Sequence, residues 1–136
     1  MRRFAGSENL KFLGDSVFGN DYVRAYQSAR VGLGLLSKRF PELHTTRTFE
    51  IPACGALLAT ERNSETSRFF GDDEVEFFES YEQLAKSLTG LLTNPGALDA
   101  KIRRGTQRVQ DGPYRYCDIV ANALGVAGNS HRVQPS

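Results

Sequence analysis

The stretch Thr45-Thr46-Arg47-Thr48-Phe49-Glu50-Ile51-Pro52-Ala53-Cys54-Gly55-Ala56-Leu57-Leu58-Ala59-Thr60-Glu61 decides the fold. It reads as a loop, a short helix over Arg47–Cys54, a glycine stop and a buried strand. Gly55 suits the stop, because only glycine takes the left-handed conformation past a helix end without steric cost. Ala56–Leu58 is apolar at consecutive positions, as a strand covered on both faces should be. A helix that feeds straight into such a strand is part of a crossover unit.

Elements of the same two kinds continue outward from this stretch. Leu10–Leu13, Val31–Leu36, Ala56–Thr60 and Val75–Phe78 have the length and flanks of strands. Val31–Leu36 is also apolar throughout apart from its glycines, which predicts cover on both faces. Asn20 is placed to cap a helix running to Ala29, with Tyr22, Ala25, Tyr26 and Ala29 on one face. A short turn of helix is expected over Glu65–Phe70. The last third reads as helix. Ser80-Tyr81-Glu82-Gln83 fits a capping box ahead of the stripe Leu84, Leu88, Leu91 and Leu92. Asn94-Pro95 ends that helix and opens another, whose buried face is Leu98, Ile102 and Val109. After Gly112-Pro113, Tyr114–Leu124 is expected to turn Cys117, Val120, Ala121 and Leu124 inward. The expected fold is α/β: a Rossmann-like parallel sheet of about four strands, flanked by helices, with a helical C-terminal third. Residues 1–128 are expected to form one domain and residues 129–136 a polar, flexible tail.

Composition narrows the function. The chain has 136 residues, 40% hydrophobic and 24% charged, enough for one domain with a real core. Seventeen basic and sixteen acidic residues leave a charge of +1, which argues against a nucleic-acid partner held by bulk charge. No apolar run approaches the roughly 20 residues of a membrane span. The start, Met1-Arg2-Arg3, lacks the apolar centre of a signal peptide. Two cysteines, Cys54 and Cys117, cannot make a disulfide framework, and with two histidines no zinc site is expected. A reduced, cytoplasmic protein with no metal and no cofactor is the expectation.

Parallel sheets bind ligands at the carboxyl ends of their strands. The loop from Ser37 to Thr45 lies there, and it is the longest between elements. A helix N-terminus after it offers free amides and partial positive charge to a phosphate. Thr45, Thr46 and Thr48 add hydroxyls, and the Arg47 guanidinium can grip a diphosphate by two bonds. His44 stands beside the loop as a further donor. Glu50, one turn in, has an acceptor pair suited to the two hydroxyls of a ribose.

At these residues the chain resembles a known family. Arg47-Thr48-Phe49-Glu50-Ile51-Pro52-Ala53-Cys54-Gly55, followed by an apolar strand ending in Thr60-Glu61, is similar to the signature of the C-terminal donor domain of GT-B type glycosyltransferases. Within them it resembles the spore-maturation, CgeB-type group. The likeness extends over about residues 10–125, through Tyr22–Leu36, Val75–Phe78, Tyr81–Leu92, Asn94-Pro95 and Arg104–Tyr116. It implies that Glu50 binds the ribose of a sugar nucleotide and that Thr45, Thr46 and Arg47 lie at its diphosphate. It implies half of a GT-B fold, a nucleoside-diphosphate sugar as substrate, no metal requirement, and an acceptor-binding domain or partner chain. Retaining relatives carry a further Glu eight positions earlier. Glu42 and Glu50 have that spacing, although Pro41-Glu42-Leu43 lacks the glycine-rich surroundings of that first Glu.

Other readings stand beside these. Arg47 and Glu50 are spaced for an i,i+3 surface ion pair. Gly32-Leu33-Gly34 leads into Leu35-Leu36-Ser37 with no third glycine, and so reads as a closely packed strand rather than a dinucleotide loop. Cys54 and Cys117 read as small core residues, and Asp72-Asp73-Glu74 as a solvated acidic turn. A non-catalytic nucleotide-binding or interaction module of the same fold is the main alternative function. A flavodoxin-like or receiver domain would need more acidic residues than the single Asp of Leu13-Gly14-Asp15-Ser16.

Overall fold

The structure is a computed structural model and describes residues 16–125. The expected strand Leu10–Leu13 and the expected tail 129–136 lie outside the described residues. The chain runs α1 (Gly19–Gln27), β1 (Val31–Gly34), α2 (Arg47–Ala53), β2 (Leu57–Glu61), α3 (Thr66–Phe69), β3 (Glu76–Phe78), α4 (Tyr81–Leu92), α5 (Pro95–Asp111) and α6 (Tyr116–Ala123). Among the described residues the sheet has three parallel strands, in the order β1-β2-β3, and these are three of the about four expected. Val31 pairs with Leu57, and Thr60 with Phe77. The protein is therefore α/β and Rossmann-like, with helices on both faces of the sheet.

β2 is the central strand, and its side chains divide the core. Leu58 lies in a cluster with Ile51, Ala56, Phe70, Val75 and Phe77, flanked by Tyr26, Phe49, Phe69 and Val109. Ala59 lies in the other, with Phe78 and Leu84, flanked by Val31 and Leu88. Gly32 and Gly34 permit a close approach on the first face. A Cβ on Gly32 would sit 2.7 Å from Ile51 Cγ2 and 2.9 Å from Tyr26 Cε1, and one on Gly34 2.7 Å from Leu58 Cδ1. The Thr60 hydroxyl ties the pair together by donating to the Gly34 carbonyl at 3.0 Å.

Helix ends follow local chemistry. Ser80 Oγ accepts from the Gln83 amide at 3.2 Å, while the Gln83 side chain accepts from Glu79 N at 2.9 Å rather than from Ser80. Asn94 Oδ1 accepts from the Ala97 amide at 3.2 Å, and Pro95 opens α5. Gly55 adopts φ +84°, as its place after α2 requires. α1 begins one residue before Asn20 and has no side-chain cap.

Two expectations of burial are corrected. β1 is the edge of the described sheet, and Leu33 is 46% exposed; on that face α4 packs over β3, and Val31 of β1 is only partly buried against the cluster beneath it. α6 does not turn its stripe inward: Cys117, Val120 and Leu124 are exposed, and Ala121 is half-buried. The i, i+3, i+4 spacing of that stripe is real, but no described element covers it. The acidic turn is clasped rather than merely solvated, since Asp72 pairs with Arg62, Asp73 with Arg104 at 3.1 Å, and Glu74 with Arg108 at 3.9 Å. Among the described residues no helix is long and apolar enough to cross a membrane.

Candidate functional site

The loop after β1 and the first turns of α2 form one wall of a cleft. Ile51 and Thr48 anchor α2 inward, both essentially fully buried. With those positions inward, the helix period brings Phe49 and Glu50 to the cleft side. Thr48 does not offer its hydroxyl to a ligand, contrary to expectation. Its Oγ1 accepts from the Thr45 amide at 3.2 Å, and its own amide donates to the Thr45 carbonyl at 3.0 Å. These reciprocal bonds fold the chain back at Thr45 and fix the entry into α2.

The cleft has a volume of about 350 Å³. His44, Thr45, Thr46, Phe49 and Glu50 line it from the loop and α2, and Tyr114, Tyr116 and Ile119 from the segment around α6. Four expected site residues therefore come together: His44, Thr45, Thr46 and Glu50. Arg47 is exposed and is not among the lining residues, nor is Glu42. Glu50 does not make the surface ion pair with Arg47. Its Oε2 instead accepts from the Tyr22 hydroxyl of α1 at 2.6 Å. Burial and the Glu50 carboxylate together hold the Tyr22 phenol well above its ordinary pKa, so it stays a donor. Burial first, and then the Glu50 charge, pushes the Cys54 thiol up, which leaves it a poor nucleophile.

An aromatic wall closes one side. Phe49 stacks on Tyr114 with centroids 4.6 Å apart and planes at 22°. Phe69 meets Phe49 edge-on at 5.1 Å, and His44 meets Phe69 edge-on at 5.2 Å. His44 Nδ1 lies 2.5 Å from Glu65 Oε2, which fixes the ring's orientation. Thr45 Oγ1 is buried and has no hydrogen-bond partner among the described residues. An orphaned buried hydroxyl calls for a ligand atom or a water to satisfy it.

Sequence reasoning missed Tyr22, Glu65, Tyr114, Tyr116 and Ile119. Tyr22 reads as one more apolar position on the α1 stripe, 28 residues from its partner. Tyr114 carries a faint signal, as an aromatic residue directly after the Gly112-Pro113 break.

The profile of the glycosyl transferase-like family matches residues 3–124. That span takes in the sheet, the cleft and α6, and the chain belongs to this family. Glycosyl transfer is thus the general activity to which its residues must be related. No curated protein and no solved structure matches the chain.

Proposed function

We propose that the chain is the donor-binding part of a glycosyltransferase and holds a nucleoside-diphosphate sugar in the cleft between α2 and α6. Glu50 accepts hydrogen bonds from the ribose hydroxyls through the carboxylate oxygen that Tyr22 leaves free. Thr45, Thr46 and His44 face the diphosphate, and Arg47 contributes charge from the rim. The aromatic wall of Phe49 and Tyr114 suits the flat, apolar face of a base. An acceptor-binding domain or partner chain brings the hydroxyl that takes the sugar as the bond to the diphosphate breaks. The donor grip as drawn uses amides, hydroxyls and side-chain charge, without a metal or cofactor.

Four residues singled out for this chemistry converge on one cleft, and that convergence carries the proposal. The orphaned Thr45 hydroxyl adds to it, because a phosphate oxygen would satisfy that group. Calorimetric titration with uridine, guanosine, adenosine and cytidine diphosphates tests it. Binding of at least one of the four is expected, with Glu50→Gln weakening it; no binding by any of them would overturn the reading.

A further inference from the structure

We infer that Tyr22 is a positioning residue that makes the Glu50 carboxylate selective for ribose. The inference rests on the donor-binding role proposed for Glu50. A glutamate on a helix surface has three rotatable bonds, and a free carboxylate samples many positions. Here one oxygen is fixed by a bond of 2.6 Å from a partly buried phenol. That phenol is itself held from behind. The Tyr22 ring meets the Tyr26 ring edge-on at 4.9 Å. Tyr26 in turn packs on the core cluster, directly over the strand position kept clear by Gly32.

Contacts therefore run from β1 through Gly32 and Tyr26 to Tyr22, and end on Glu50 Oε2. With Oε2 held, the carboxylate of this cleft-lining residue keeps a restricted set of positions. The phenol's raised pKa keeps it a donor, so it stays bonded to the charged form of Glu50. A carboxylate bound on one side and open on the other can accept from a pair of hydroxyls without first paying to become ordered. Tyr22 touches no ligand in this scheme and acts wholly through Glu50.

The test compares each of the four ribonucleoside diphosphates named above with its 2′,3′-dideoxy counterpart, on the full chain and on Tyr22→Phe. The ratio of the two affinities isolates the ribose hydroxyls. For the ribonucleotide that the wild type binds best, a preference of roughly tenfold or more over the dideoxy form is expected. In Tyr22→Phe that preference falls by roughly three- to tenfold, while affinity for the dideoxy form is unchanged. In a Glu50→Gln background, Tyr22→Phe has no further effect on the ratio. A merely structural role would weaken both ligands equally and keep the ratio, and that result overturns the inference while leaving Glu50 its role. A wild type without ribose preference, or without binding, overturns both. If Tyr22→Phe fails to fold, a fluorinated tyrosine at position 22 replaces it. Its phenol loses the donor proton at lower pH, so the ribose preference must fall with rising pH in that protein and not in the wild type; a preference flat with pH in both overturns the inference.

Discussion

Glu50 and Thr45 carry opposite kinds of cost at the residue scale. Glu50 lines the cleft with one oxygen bonded to Tyr22, so Glu50→Gln keeps size and loses charge-assisted acceptance. Nucleoside-diphosphate affinity should fall by about 1.5–3 kcal/mol with the fold intact, read by calorimetry beside a thermal melt. Thr45 Oγ1 is buried without a partner among the described residues, which is costly for a hydroxyl. Thr45→Val is nearly isosteric and should raise stability by about 1 kcal/mol in urea unfolding while weakening diphosphate binding. An unchanged or lower stability would mean that the hydroxyl is satisfied by a water. The place of Glu50, Thr45 and Thr46 on one cleft was legible in the sequence, because a polar loop entering a short helix brings its side chains together locally. Tyr22 was not, because a tyrosine on an amphipathic stripe looks the same whether its hydroxyl meets solvent or a carboxylate. Thr48 was misjudged for a related reason: helical phase decides which threonine of a run turns inward, and here Thr48 shares the buried side with Ile51.

Among the elements, α5 ties the molecule together and can be tested at two points. Gly105 lies against the turn before β3, where an added Cβ would stand 2.4 Å from the Glu74 carbonyl oxygen. Backbone cannot give way there as a flexible side chain would. Gly105→Ala should therefore destabilise by roughly 1–3 kcal/mol, although alanine is the better helix former by about 1 kcal/mol. Gly90 of α4 has nothing within 4 Å of its would-be Cβ, so Gly90→Ala should stabilise by roughly 0.5–1 kcal/mol. Opposite signs in urea unfolding check the pair. One turn earlier on α5, Lys101 pairs with Glu76 of β3, which also accepts from Ser87 of α4, and both charged side chains are mostly buried. Lys101→Met should cost about 3–5 kcal/mol by stranding the carboxylate, and Lys101→Met with Glu76→Gln should recover most of that loss. A double variant no more stable than the single one would contradict this account. The three described strands were legible as short apolar runs, and the caps at Ser80 and Asn94 as residue types at fixed offsets. The face of α6 was not, since periodicity shows that a stripe exists but not what lies over it.

For the whole molecule, the alternation of strands and helices was enough to give a parallel sheet with helices on both sides. Strand coverage was harder to read, because β1 and β2 have similar apolar content while, among the described residues, only β2 is central. What the fold leaves open bears on catalysis. The cleft has α2 on one side and the α6 segment on the other, and the outer wall ends in Tyr116 and Ile119, 78% and 52% exposed. Of the side chains expected at the donor, Glu50 meets Tyr22 and His44 meets Glu65. On the proposed reading these groups grip the donor. Glycosyl transfer also depends on holding the acceptor hydroxyl in line with the sugar, and positioning of that kind supplies roughly 7–11 kcal/mol of a barrier. The purified chain should therefore bind a nucleotide sugar without passing the sugar on. Adding a chain or domain that binds the acceptor should restore transfer, and Glu50→Gln should then depress it through donor affinity. The measurement is product formation from labelled sugar nucleotides over a panel of acceptors, with and without the added partner. Multiple turnovers by the chain alone onto a defined acceptor would mean that the acceptor-side chemistry is already present in the cleft, with His44 and Glu65 the first residues to substitute.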